Sequence, residues 1–289
     1  MNFYSVKALL SVLLLLGCAS SDDTESDTDR DAVNGTSGFT DTDSNGAHDD
    51  SSSGQEGDTV APQIVSKVYA HSATILYQVD PDDLTLTEVG PFVWPEGLTG
   101  EQMTDIAVDA AQNMIGVSFG RVYSVDKETA ECTYLADLSD GFNGLSFVDG
   151  DGTSDETTLV GATTSGEWYT LDMETGASSL IGTYGEEMSS SGDIVFIRDA
   201  GAYATVNHPD YTTDVLVTVD PSSGSATVIG ETGFDDIWGI GYWGGQIFGF
   251  TERGEFILID ATTGLGTLVE TLDASFWGAG VTTLAPVVV

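Results

Sequence analysis

Apolar and polar residues alternate along most of the chain after residue 60, in short runs separated by turns rich in Gly, Ser, Thr and Asp. A period of two is typical of β-strands with one buried face. No segment keeps the 3.6-residue period of an amphipathic helix for three turns. The pattern therefore predicts an all-β domain over residues 61–289.

One phrase recurs five times in this domain: a strand ending in aspartate, a turn, and a second strand. The copies read LYQVDPDDLTLTEVG, VYSVDKETAECTYLA, WYTLDMETGASSLIG, LVTVDPSSGSATVIG and FILIDATTGLGTLVE. Their shared aspartates are Asp80, Asp126, Asp172, Asp220 and Asp260, at spacings of 46, 46, 48 and 40 residues. This period, with two more short strands before each phrase, is typical of the four-stranded blade of a β-propeller.

The two ends of the domain predict how the ring closes. The first copy lacks an innermost strand, and the last segment, WGAGVTTLAPVVV, has the pattern of an innermost strand with no repeat after it. We therefore predict a five-bladed β-propeller in which the C-terminal strand, Gly278 to Leu284, completes blade 1. The five shared aspartates are interpreted as acceptors for backbone N–H groups of the turns rather than as catalytic or metal-binding residues.

The repeated phrase resembles the LYxVDxxTGxxTxIG unit of many secreted bacterial propellers. These include proteins of unknown function and members of the quinoprotein-like superfamily. The resemblance extends over the repeat domain and implies its fold, whereas function on such folds resides in sites that differ from protein to protein.

Charge limits the partners. The chain has 47 acidic and 7 basic residues and a formal net charge of -40. Nucleic acids and anionic membrane surfaces require clustered Lys or Arg, so neither is an expected partner. Cations, cationic proteins and neutral sugars remain, and we expect a monomer.

The N-terminus has the features of a secretion signal. Its apolar run from Ala8 to Leu16 is too short to span a bilayer. The sequence Leu-Leu-Gly-Cys that ends at Cys18 resembles the lipobox of bacterial lipoproteins, although Leu16 replaces the usual small residue. The resemblance implies a signal peptide at 1–17, lipidation of Cys18 as the membrane anchor and, because Ala19 follows, sorting to the outer membrane. An ordinary signal peptide with a chance cysteine is the alternative.

Residues 18–60 separate this signal from the propeller. They are rich in Ser, Asp, Thr and Gly and contain few large apolar residues, and therefore predict a disordered acidic tether that follows the lipidated cysteine. The stretch DTDSNGAHD, Asp41 to Asp49, resembles the calcium loops of thrombospondin type 3 repeats. In so Asp-rich a segment, a chance match is the alternative.

Loops that join successive blades converge on the mouth of a propeller's channel. These loops, with VNHPDYTTD between two middle strands, predict a ligand-binding face of aromatic and acidic residues. Aromatic planes among carboxylates suit sugars or cationic groups. Packing between blades is the alternative role for the two tryptophans that precede glycine. The predicted face consists of Trp94, Asp105, Phe142, Tyr184, Asp193, His208, Tyr211, Phe234, Asp236, Trp238 and Trp277.

The stretch DGDGTSDE on the opposite face predicts a calcium site, the one cofactor that the sequence suggests. Its alternating oxygen ligands would be Asp149, Asp151, Thr153 and Asp155. A solvated hairpin loop is the alternative, because the glycine comes one position earlier than in known calcium loops.

Few residues point to catalysis. Three histidines and the absence of a G-x-S-x-G motif disfavour a serine hydrolase, and Cys132 beside Glu131 predicts a buried, unreactive thiol. Asp105 and Asp193 begin inner strands of blades 2 and 4 and could face one another, as in five-bladed glycoside hydrolases. The sequence favours a lipid-anchored cell-envelope binding module for a glycan or protein ligand. A glycoside hydrolase and a purely structural envelope protein are the alternatives.

Overall fold

The computed structural model describes residues 67–149, 157–185 and 187–288, which form five four-stranded antiparallel sheets. Blade 1 contains β1 (Val68–His71), β2 (Ile75–Val79), β3 (Leu86–Pro91) and the last strand, β20 (Gly278–Gly280). Blade 2 contains β4 (Met103–Val108), β5 (Met114–Ser118), β6 (Arg121–Val125) and β7 (Cys132–Asp137). Blade 3 contains β8 (Gly144–Asp149), β9 (Thr157–Ala162), β10 (Glu167–Leu171) and β11 (Ser178–Thr183). Blade 4 contains β12 (Ser189–Ile197), β13 (Gly201–Asn207), β14 (Val215–Val219) and β15 (Ala226–Glu231). Blade 5 contains β16 (Ile237–Trp243), β17 (Gln246–Thr251), β18 (Glu255–Asp260) and β19 (Gly266–Thr271).

The five sheets form a closed ring. Their innermost strands, β4, β8, β12, β16 and β20, each contact the next one, and β20 contacts β4 again. Because each blade lies between two others, its alternating side chains are buried on both faces. Large buried side chains such as Trp168, Tyr123, Phe250 and Phe256 fill the space between blades. The prediction of an all-β, five-bladed propeller is confirmed.

The C-terminal strand closes the ring on blade 1, as predicted, but it is shorter than predicted. β20 pairs antiparallel with β1, with Ala279 opposite Ala70 and Gly278 opposite His71. The strand ends at Gly280 rather than at Leu284, because the chain then turns toward blade 2. There Thr282 forms a parallel bridge with Val108.

The repeated aspartates have the structural role that the sequence predicts. Oδ1 of Asp126 accepts the N–H groups of residues 128 and 129, and Oδ1 of Asp172 and of Asp260 accept the equivalent pairs. Asp80 and Asp220 each accept the N–H group two residues on. These backbone hydrogen bonds lower the pKa of Asp126, Asp172 and Asp260.

Several predictions concern segments outside the described residues. The signal peptide at 1–17, Cys18, the tether to residue 60 and the motif from Asp41 to Asp49 all lie there. Within the described residues, no helix has the length and apolar character needed to cross a membrane.

Candidate functional site at the channel mouth

The five inner strands together build one pocket at the mouth of the channel. Each strand contributes the residue at the same position of the repeat. The five residues are Thr104, Asn143, Gly192, Trp238 and Trp277. The cavity measures about 370 Å³, and its remaining wall comes from Phe119, Thr164, Ser190, Ser191, Asn207 and Asp236.

Irregular pairing of the inner strands explains how these residues reach the mouth. The register of β4 against β5 shifts between Met103 and Asp105, so Thr104 is an extra residue. The register of β16 against β17 shifts in the same way around Trp238. Such bulges redirect side chains that regular alternation would point elsewhere. The bulges therefore turn residues of the inner strands toward the pocket.

Three aromatic rings form one side of the pocket. Trp238 and Trp277 lie edge to face, with ring centroids 6.1 Å apart at 83°. Phe119 meets Trp277 in the same manner at 6.2 Å. Phe119 is 65% exposed and the two tryptophans are partly exposed, so apolar ring surface faces the solvent here. The other lining residues, apart from Gly192, are polar and carry amide, hydroxyl and carboxylate groups.

Below the pocket, the next position of the inner strands forms a second layer. Its residues are Asp105, Gly144, Asp193, Gly239 and Gly278. In each blade, the residue that follows this position donates its backbone N–H group to the side-chain carboxyl group of Asp105 or of Asp193. Asp105 accepts from Ile106 at 2.8 Å and from Leu145. Asp193 accepts from Ile194 at 2.6 Å, Ile240 at 2.8 Å and Ala279 at 3.2 Å. Five backbone donors, one per blade, thus converge on one carboxyl pair.

The two carboxyl groups also contact each other and are fully buried. Burial, followed by the charge and the hydrogen bond of Asp193, raises the pKa of Asp105 well above its usual range. Burial also raises the pKa of Asp193, against the hydrogen bonds that favour its ionised form. Asp105 receives fewer N–H bonds than Asp193, so a proton on the pair is held mainly by Asp105.

A histidine that the sequence analysis did not single out completes this layer. His71 on β1 is fully buried, and its Nδ1–H donates to the carbonyl of Ser72 at 2.8 Å. Its Nε2 lies 3.7 Å from Oδ1 of Asp105. Burial lowers the pKa of His71 to about 4, so the imidazole is neutral. No local motif marks this residue, because only closure of the ring brings β1 next to the channel.

The structure brings some of the predicted face residues together and separates others. Asp236, Trp238 and Trp277 line the mouth pocket, while Asp105 and Asp193 lie beneath it. His208 and Tyr211 line a neighbouring groove that shares Asn207 with the pocket.

The other four predicted face residues pack inside the protein. Phe142 and Tyr184 are buried at 2% and 1% exposure and contact Tyr169 and Trp168, respectively. Trp94 and Phe234 are partly buried at the edges of the hydrophobic core. Aromatic residues in these loops thus serve both as core and as pocket wall.

Pocket residues that the sequence analysis missed are mostly small and polar. They are Thr104, Phe119, Asn143, Thr164, Ser190, Ser191, Gly192 and Asn207. The sequence does contain a signal for Thr104, Asn143 and Gly192. In its repeat, each of them directly precedes the Asp or Gly of the second layer, and alignment of the five copies at that position would find them.

The predicted calcium loop is described only at its first residue. Asp149 ends β8, is 8% exposed, and its Oδ2 accepts from Nε of Arg198 at 2.5 Å. Asp151, Thr153 and Asp155 lie outside the described residues. Among the described residues, no group of three or more His, Cys, Asp and Glu side chains could hold a metal ion.

The remaining candidate for chemistry, Cys132, is a buried thiol. It is 3% exposed and lies among core residues of blades 1 and 2. Burial, with the charge of Glu131, raises its pKa to about 12. A thiol of this kind is not a nucleophile at neutral pH, which agrees with the expectation from the sequence.

Comparisons with known proteins identify no family and give a structural similarity. No protein-family model and no curated protein matches the chain. Among solved structures, a chain of "Crystal structure of Nidogen/Laminin Complex" is similar, with 12% identity and a TM-score of 0.48. The match covers 78% of this chain and 99% of that chain. The propeller assignment rests on the strand pairing of this protein, and the similarity says nothing about its ligand.

Proposed function

We propose that this protein is a glycan-binding module and that the mouth pocket holds a sugar residue. The observation that carries the proposal is the convergence of all five blades on one pocket lined by both aromatic rings and polar groups. Sugars present both kinds of surface, because their C–H faces pack on aromatic rings while their hydroxyl groups form hydrogen bonds. The cavity of about 370 Å³ suits a ligand of one or two sugar rings.

The residues that line the pocket favour a neutral or cationic ligand over an anionic one. Among the described residues that line it, none is Lys, Arg or His. Anionic ligands are usually held by such residues, most often by Arg. Protein ligands, the other class that the sequence favours, bind mostly through larger surfaces than this cavity provides.

The carboxyl pair beneath the pocket does not have the geometry of a glycoside hydrolase. Such enzymes keep their two carboxyl groups about 5 to 9.5 Å apart, with room for the glycosidic bond or a water molecule. Asp105 and Asp193 are in hydrogen-bond contact, are fully buried and accept five backbone N–H groups. Their contacts support a structural role, the joining of the blades at the channel.

We also propose that the propeller is displayed on the cell envelope of a bacterium, most simply at the outer membrane. The support is the lipobox-like sequence at Cys18 and the acidic, Ser-rich segment up to residue 60. A flexible tether of this composition would let the mouth pocket reach glycans at a distance from the membrane.

Titration of the protein with a panel of soluble oligosaccharides tests the binding function. We expect tryptophan fluorescence to change on binding, because two tryptophans line the pocket. Trp277→Ala should weaken binding by about tenfold or more, since it removes the ring that contacts both other aromatic residues. Tyr134→Ala is the control, because Tyr134 is a 40% exposed aromatic residue on the outer strand of blade 2. Equal affinities in both variants, or no binding by the wild type, would contradict the proposal.

A further inference from the structure

The hydroxyl groups around the mouth pocket already donate their protons to the protein. Thr104 donates to the carbonyl of Val117 at 3.1 Å, and Ser190 donates to the carbonyl of Gly192 at 2.8 Å. Ser191 donates to Oδ2 of Asp214 at 2.5 Å. A hydroxyl has one proton and two lone pairs, so each of these groups can only accept from a ligand.

Two further residues that line the pocket, Asn143 and Asp236, carry acceptors. Oδ1 of Asn143 is buried without a hydrogen-bond partner. The carboxylate of Asp236 is 41% exposed, and Nη2 of Arg253 lies 3.5 Å from its Oδ2. A buried acceptor without a partner is costly, and a ligand that donates a hydrogen bond would remove that cost.

The residues that line this pocket also carry neutral donors. They are the amides of Asn143 and Asn207, the hydroxyl of Thr164 and the indole N–H groups. The amide of Asn207 already donates to the carbonyl of Ser190 at 3.4 Å. These donors are all uncharged, whereas the acceptors include the carboxylate of Asp236.

The electrostatics of the pocket favour positive charge. The faces of Trp238 and Trp277 attract cations through their ring quadrupoles. Asp236 adds a formal negative charge at the wall, and the chain as a whole has a formal charge of -40. This field raises the local concentration of cationic ligands and repels anionic ones.

We infer that the mouth pocket selects a sugar with a protonated primary amine over neutral, N-acetylated and anionic sugars. The inference rests on the proposed glycan-binding function. An ammonium group has three donors and no acceptor, which matches the acceptors around the pocket. N-acetylation removes the charge and two donors and adds a carbonyl acceptor, so it should weaken binding.

Calorimetric titration at pH 6, where the amine is protonated, tests the selectivity. The probes are oligomers of glucosamine, the same oligomers in N-acetylated form, and glucose oligomers of equal length. We expect glucosamine oligomers to bind at least about tenfold more tightly than either of the others. Asp236→Asn should lower their affinity by about tenfold, which corresponds to about 1.4 kcal/mol.

The matched control for that variant is Asp235→Asn. Asp235 is adjacent, also lies near Arg253, at 3.8 Å, and does not line the mouth pocket. It should leave the affinity unchanged. Equal losses in the two variants would show attraction by general surface charge and would overturn the inference. Glucose or N-acetylated oligomers that bind as tightly as glucosamine oligomers would overturn the selectivity but leave glycan binding in place. Absence of binding by every oligomer would overturn both proposals.

Discussion

Replacement of Asp105 by Asn should change how the stability of the propeller depends on pH. Burial and the neighbouring charge of Asp193 raise the pKa of Asp105 well above its usual range in the folded protein. In the unfolded chain this carboxyl has a pKa of about 3.9. The folded state therefore binds one more proton at this site than the unfolded state above about pH 4. In the variant, the amide oxygen still accepts from the backbone N–H groups of Ile106 and Leu145, and the amide nitrogen can donate to Asp193. The amide does not titrate.

The sign of the effect follows from proton linkage. Because the folded state holds the extra proton, this site contributes stability in full below about pH 4 and loses it as the pH rises through the folded pKa. The loss amounts to about 1.4 kcal/mol per pH unit for one proton. Between pH 5 and pH 8, the stability of the wild type should therefore fall more steeply with rising pH than that of Asp105→Asn.

Urea unfolding at several pH values, followed by tryptophan fluorescence, measures this difference directly. Asp126→Asn is the control, because hydrogen bonds from the backbone lower the pKa of Asp126 and its contribution has the opposite sign. That contribution is present above the unfolded pKa and is lost as the pH falls. Parallel stability curves for the wild type and Asp105→Asn from pH 5 to 8 would refute the raised pKa of Asp105 in the folded protein.

Three further outcomes are expected. Gly278→Ala should destabilise the protein by roughly 1–3 kcal/mol in thermal melts, because a Cβ at this position overlaps Asp105 and His71. Gly120→Ala is the control, because Gly120 has open space around it, and equal melting temperatures of the two variants would contradict the close packing at Gly278. If the predicted calcium loop that begins at Asp149 binds its ion, calcium should raise the melting temperature more than magnesium or sodium chloride of equal ionic strength, and Asp151→Ala should abolish the difference. An equal rise in all three salts that the variant retains would contradict a calcium site in this loop. Cys18→Ser should release the protein from the membrane fraction, and retention of the variant after a carbonate wash would contradict lipid anchoring.

The fold could be predicted from the sequence because each blade repeats the same local chemistry. An aspartate that accepts turn N–H groups marks every copy, and period-two alternation marks every strand. Ring closure could also be predicted, since blade 1 lacks one strand and the C-terminus has a spare one. The end of that strand could not, because the contact of Thr282 with blade 2 depends on how two distant segments pack.

The site could be predicted only in part. Trp238 and Trp277 stand out in the sequence as large aromatic residues before glycine, and they do line the pocket. Phe142 and Tyr184 are also large aromatic residues of the loops between blades, but they point into the core. Loop composition does not distinguish the two orientations. The orientation of the inner-strand residues depends on bulges, and the position of His71 depends on pairing across the whole length of the domain.

The most direct test of the binding proposal is an experimental structure of the protein with a bound glucosamine oligomer. We expect a sugar ring in the mouth pocket, with one face against Trp238 or Trp277 and its amine within hydrogen-bond distance of Asp236 or Asn143. The carboxyl pair of Asp105 and Asp193 should remain in contact below the sugar. A saccharide bound elsewhere on the propeller, or an empty mouth pocket at saturating oligomer, would contradict the account.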